Sequence, residues 1–193
     1  MDRLIARLMI LLLVAQLLLL LLSWLLSAMM TEGVRPLLSS EGIRWLFSQF
    51  TAMMLRPQLV WLILLSMAVG CLWQSGIVRP SLTSFRRSFA LRVAAAVLLL
   101  LVAVVALLIV PPHAILLSST GSVWPSPFSR ALVPILSAVV IVTSSCYGIL
   151  TRDFLSSTDV LKSMKWGLSQ AAPLLALYFL LVLFYESLCY VFL

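Results

Sequence analysis

Charged residues are scarce in this sequence. They make up 10% of its 193 residues, whereas hydrophobic residues make up 63%. Soluble domains usually carry about 25% charged and about 45–50% apolar residues, so a soluble globule of this size could not cover so much apolar surface. The same composition excludes a disordered chain, a collagen and a disulfide-stabilised scaffold. What remains is an integral membrane protein.

Side chains suited to catalysis or metal binding are also few. The sequence has three cysteines, Cys71, Cys146 and Cys189, and one histidine, His113. The cysteines lie in or beside apolar runs without CxxC or Cys/His spacing, which favours apolar packing residues over a disulfide or a metal site. His113 follows two prolines in a loop, and no GxSxG motif accompanies it. We therefore expect neither an enzyme nor a bound cofactor.

Five apolar runs are long enough to cross a bilayer, which takes about 20 residues. Continuous apolar runs are typical of helices, since barrel strands alternate in polarity. The sequence thus predicts an all-α, five-span bundle that forms a single transmembrane domain over residues 1–193. The predicted spans are residues 8–30, 58–78, 93–110, 131–150 and 169–193. The first run could instead be a signal peptide, but its length favours an uncleaved anchor.

The basic residues predict the orientation. The net charge is +7, but these residues lie at the ends of apolar runs, which favours a role in topology over nucleic-acid binding. Nine of them fall on one side of the predicted spans and four on the other. The positive-inside rule then places the N-terminus in the cytoplasm and the C-terminus outside.

Three loops have a predicted character of their own. In the first loop, Ser39 or Ser40 can cap a helix whose first turn holds Glu41, and the residues through Leu55 predict a short helix in the outer interface. The third loop, residues 111–130, is an expected extracytoplasmic connection with Trp124 at headgroup level. The fourth loop, residues 151–165, is expected to hold a short amphipathic segment on the cytoplasmic surface.

Few polar groups interrupt the spans. Glu186 in the last run is interpreted as an interfacial carboxylate, with ion coupling or a contact to a partner as alternatives. Thr143, Ser144 and Ser145 form the densest polar patch. Their hydroxyls can bond to the preceding helical turn or permit close helix packing, and the functional alternative is an ion- or substrate-binding surface that includes Asp153.

Three stretches of this sequence, in order, resemble the motifs of one family. Residues 37–45 (LLSSEGIRW) resemble a "LLS-x-EG-x-x-W" stretch, residues 68–77 (AVGCLWQSGI) a "GxGxAExSGL" stretch, and residues 149–155 (ILTRDFL) a "LLIxxTDxLLSG" stretch. These motifs are those of the p-aminobenzoyl-glutamate transporter (AbgT) family. Trp73 stands where the family's acid would be, and Arg152 separates Thr151 from Asp153.

The resemblance implies a shortened, N-terminal-half-like member of a family of bacterial inner-membrane exporters of folate-related conjugates. It maps the family's aspartate onto Asp153, so the predicted substrate- or ion-binding site comprises Asp153, Thr143, Ser144 and Ser145. The implied function is export of p-aminobenzoyl-glutamate or a related anion. The alternative is an accessory or structural membrane subunit that does not transport. The expected partners are the lipid bilayer and either a second copy or another membrane chain.

The predicted orientation can be tested with reporter fusions in two loops. A fusion at Arg86 should be active only with a cytoplasmic reporter, and one at Ser122 only with a periplasmic reporter, because of the distribution of basic residues. The opposite pattern at both positions would overturn the orientation.

Overall fold

The computed structural model describes residues 2–29, 33–78, 85–109 and 127–193, and all regular structure within these ranges is helical. The helices of the described ranges are α1 (Asp2–Ala28), α2 (Ser40–Met54), α3 (Pro57–Gln74), α4 (Phe85–Leu107), α5 (Pro127–Thr151) and α6 (Ser157–Phe192). All except α2 are long and apolar enough to cross a membrane. These findings confirm the predicted all-α membrane protein with five spans and a short helix after the first. His113 and Trp124 of the third loop lie outside the described residues.

The helices do not end where the apolar runs end. α4 begins at Phe85 and α6 at Ser157, eight and twelve residues before the predicted spans. Residues 157–165, expected in a loop, are therefore the first turns of α6. With 36 residues, α6 is about 54 Å long, well beyond the ~30 Å hydrocarbon core. α3 instead stops short of its predicted end, because Gly76 adopts a positive φ of 72° in the following turn.

The chain packs into two compact units, Met1–Val60 with Ala171–Leu193, and Trp61–Gln170. In the first unit, Leu19, Leu37 and Val191 form a buried apolar cluster. The Arg35 amide donates to the Val191 carbonyl at 3.1 Å, so the segment after α1 satisfies one of the free carbonyls at the end of α6.

α2 has the faces of a helix that lies along a membrane surface. Ser39 is its N-cap and accepts a hydrogen bond from the Gly42 amide at 3.0 Å, as the capping pattern predicts. Ile43, Phe47 and Phe50 form an exposed apolar stripe at helical spacing. Gly42 and Met53 are buried against the rest of the unit.

In the second unit, α3 and α6 cross at very short range. Ser66 and Gly70 on α3 face Ser163 and Gly167 on α6, and each pair has the four-residue spacing of small-residue packing motifs. A Cβ added at Gly70 would lie 2.7 Å from the Gly167 Cα, and one added at Gly167 would lie 2.7 Å from the Gly70 Cα. Any larger side chain would push the two backbones apart.

Substitution of either glycine tests this crossing. In an isolated helix, alanine is more stable than glycine by up to ~1 kcal/mol, but overpacking usually costs about 1–3 kcal/mol. We expect Gly70→Ala and Gly167→Ala each to lower the thermal unfolding midpoint in mild detergent. The control is Ala172→Leu at an exposed position of α6, which should change the unfolding free energy by less than about 0.5 kcal/mol. Equal stability of both alanine variants and the parent would contradict the close crossing.

Candidate functional site

The polar patch of α5 divides into paired and unpaired hydroxyls. Ser144 donates to the carbonyl of Val140 at 2.7 Å, so its polarity is satisfied within its own helix. The hydroxyls of Ser137, Thr143 and Ser145 are buried and have no hydrogen-bond partner among the described residues. Leaving a buried hydroxyl unpaired costs about 1–3 kcal/mol. The unpaired hydroxyls are therefore the groups of α5 that a polar ligand or ion would stabilise.

The three neighbouring hydroxyls do not converge on one point. Successive residues of an α-helix are rotated by about 100°, so Thr143 and Ser145 project about 160° apart around the helix axis. Only Ser144 lies on the same face as Ser137, one heptad earlier. The patch therefore presents hydroxyls in several directions.

α5 ends in a fixed turn, residues 151–154, which we call the Asp153 turn. Arg152 has a positive φ of 64°, a conformation that reverses the chain direction after a helix. The Phe154 amide donates to the Gly148 carbonyl at 2.9 Å, and the Phe154 ring is buried. A Cβ added at Gly148 would lie 2.7 Å from the ring carbon Cε2 of Phe154, so this glycine makes room for the ring.

The Asp153 turn places one carboxylate among several polar groups. The Thr151 hydroxyl donates to Asp153 Oδ2 at 2.8 Å, and the Arg87 guanidinium lies 4.0 Å from Asp153 Oδ1. A Cβ at Gly76 would lie 3.4 Å from Asp153 Oδ2. Arg86 Nε donates to the Leu150 carbonyl at 2.9 Å, which satisfies an end carbonyl of α5. The Gly76 and Asp153 stretches, distant in sequence, therefore meet at one place.

The structure separates the predicted site residues into two groups. Thr151, which binds Asp153, lies six to eight residues beyond the hydroxyl triplet on α5, or about 9–12 Å along the axis. Arg87 and Gly76 lie beside Asp153 but were not predicted as site residues. Arg86 and Arg87 are among the basic residues that predict the orientation, and Gly76 belongs to the resembling stretch 68–77.

Glu186 forms a second polar cluster, in the first unit. Its carboxylate pairs with Arg56, whose guanidinium also lies 6.0 Å from the centre of the Tyr185 ring. The pair borders a cavity of about 250 Å³ that α2 also lines. Among the described residues, no three His, Cys, Asp or Glu side chains come together as metal ligands.

Comparison with known proteins decides the family. A model of the AbgT putative transporter family matches residues 79–190, which include α4, α5 and most of α6. The chain belongs to the AbgT family. The matched range contains the third of the resembling stretches, residues 149–155, whereas the first two precede it.

The fold is similar to that of an AbgT-family transporter of known structure. The crystal structure of the Alcanivorax borkumensis YdaH transporter, described as having an unusual topology, aligns with a TM-score of 0.77 at 17% sequence identity. The alignment covers 95% of this chain and 70% of that chain. No curated protein matches this sequence. The AbgT-family chain is thus a multi-pass membrane protein with a transporter-like role, and its family and fold point away from an enzyme.

Proposed function

We propose that this chain exports p-aminobenzoyl-glutamate or a related aromatic anion across the bacterial inner membrane. The observation that carries the proposal is the position of Asp153, which lies inside the range matched by the AbgT family and next to Arg87. Ser137, Thr143 and Ser145 on the same helix add buried hydroxyls that have no partner among the described residues.

The geometry supports an exchange of partners at Arg87. The side chains of Arg87 and Asp153 are 37% and 33% exposed, so both are accessible to a substrate or an ion. A guanidinium binds a carboxylate through charge-assisted hydrogen bonds, and an anionic substrate offers such a group to Arg87. The Asp153 carboxylate repels that anion. A cation bound at Asp153 would remove the repulsion and so couple substrate binding to ion binding.

The divergent hydroxyls favour a second candidate function. Thr143 and Ser145 project in opposite directions, and the triplet is separated from Asp153 along the helix. A transporter of this type is expected to bind substrate where two repeats meet. A chain that presents separated polar groups would instead serve as a non-transporting accessory or structural subunit.

The substitution Asp153→Asn distinguishes these functions. Asparagine preserves the shape of the side chain but carries no charge, so export of p-aminobenzoyl-glutamate from loaded cells should fall to background. The matched control is Asp159→Asn, because Asp159 accepts hydrogen bonds from the Leu155 and Ser156 amides at the start of α6, and an asparagine oxygen can accept the same bonds. Unchanged export by the Asp153→Asn variant would remove the site assignment. If the parent chain shows no export under any condition, the accessory function is favoured.

We further propose that the chain acts as a homodimer or with another membrane chain. Transporters built from repeats bind substrate between two walls, and a second copy or another membrane chain would supply the wall that faces the proposed site. Photobleaching of single molecules in native-lipid nanodiscs should show two-step events, or single steps with a second chain that copurifies. Single-step events without another chain would contradict this proposal.

A further inference from the structure

The cavity beside Arg56 and Glu186 is separate from the residues of the proposed export site and is lined by none of them. This cavity lies within the first unit and has a volume of about 250 Å³. Arg56 occupies the joint between α2 and α3, and Glu186 projects from α6. The remaining lining side chains all come from α2: Trp45, Gln49, Ala52 and Met53. The cavity thus combines a cation, an anion, an amide and an aromatic ring.

The charges of the cavity select the kind of ligand it can hold. Arg56 and Glu186 form an ion pair and both line the cavity, so its charged lining is neutral overall. A purely anionic ligand would meet Glu186, and a purely cationic one would meet Arg56. A zwitterion matches both groups. The Arg56 guanidinium has five N–H donors, so it can bind an anionic group while it keeps a hydrogen bond to Glu186.

The position of the pair in the chain indicates a membrane surface. Arg56 immediately precedes the span α3, and Glu186 lies six residues before the end of α6, about 9 Å along the axis. Both residues therefore lie toward the ends of their spans, where the headgroup region borders the hydrocarbon core. The exposed stripe of Ile43, Phe47 and Phe50 on α2 offers an apolar surface to acyl chains at the same boundary.

We propose that this cavity binds the headgroup of a phosphatidylethanolamine lipid, with the phosphate at Arg56 and the primary ammonium at Glu186. Its volume of about 250 Å³ is large enough for a phosphoethanolamine group, which is a small headgroup. A phosphatidylcholine headgroup is also zwitterionic, but its trimethylammonium has no N–H to donate to Glu186. The carboxylate therefore distinguishes the two lipids.

Native mass spectrometry of the full chain, stripped of lipid in detergent, tests the proposal. Dioleoyl-phosphatidylethanolamine, the corresponding choline lipid and the corresponding glycerol lipid are each titrated. A hydrogen bond to a charged group is worth about 1.5–3 kcal/mol, so the ethanolamine lipid should bind at least about tenfold more tightly than the choline lipid. It should also bind more tightly than the anionic glycerol lipid. Equal binding of the ethanolamine and choline lipids, or preference for the glycerol lipid, would overturn the proposal.

Substitutions in the cavity test whether the preference for the ethanolamine lipid arises there. Glu186→Gln should reduce the difference between the ethanolamine and choline lipids, because an uncharged amide oxygen accepts a weaker hydrogen bond from the ammonium than a carboxylate does. Asp159→Asn, which removes a carboxylate outside the cavity, should leave the difference unchanged. Ala52→Trp fills the cavity without altering the ion pair and should weaken binding of the ethanolamine lipid, which keeps the test decisive if Glu186→Gln does not fold. An unchanged preference in Glu186→Gln together with unchanged affinity in Ala52→Trp would place the lipid elsewhere.

Soluble phosphoethanolamine distinguishes a lipid from a free zwitterion. The lipid makes acyl-chain contacts that soluble phosphoethanolamine lacks. Soluble phosphoethanolamine should therefore displace the lipid only at a much higher concentration than the lipid's own. Displacement at equal concentration would show that the site accepts free zwitterions and would overturn the assignment to a lipid.

Discussion

The crossing of α3 and α6 at Gly70 and Gly167 is the contact on which the second unit depends. Lipid removes the hydrophobic driving force between helices, so close backbone packing must supply the attraction. The hydroxyls flanking the glycines do not disturb this contact: Ser66 donates to the Ile63 carbonyl at 2.7 Å and Ser163 to the Val160 carbonyl at 2.6 Å. The Gly76 turn directly follows α3, so the crossing also determines where this turn meets Asp153.

The apolar runs predicted the number and type of the spans, because a helix that faces lipid must have apolar side chains over about 20 residues. They could not predict the helix ends, since helical hydrogen bonding continues where hydropathy falls. α6 shows this most clearly, because its first turns contain Asp159 and Lys162, whose mutual ion pair stabilises a helix in water. The N-cap of α2 was predictable, because a serine cap acts on amides only two or three residues away.

The sequence indicated single acidic residues of the candidate sites but not the basic residues that pair with them. Asp153 and Glu186 were conspicuous because acids are rare in this sequence, but their partners depend on tertiary structure. Arg56 and Glu186 are 130 residues apart, and no local pattern relates them. The same holds for Arg87 and Asp153. The Asp153 turn was also hard to predict from the sequence. It requires a positive φ at Arg152, and arginine is not a residue type that indicates this conformation.

The hydroxyls of α5 show how a membrane helix can keep polar groups available. Ser144 bonds to a carbonyl of its own helix, so a serine in α5 can satisfy itself without any ligand. The hydroxyls of Ser137 and Thr143 are also buried but have no partner among the described residues. The two states differ by a rotation about χ1, which costs little compared with the ~1–3 kcal/mol of an unpaired buried hydroxyl. Such hydroxyls can therefore bond either to a backbone carbonyl of their own helix or to another polar group, which explains how a largely apolar span tolerates them.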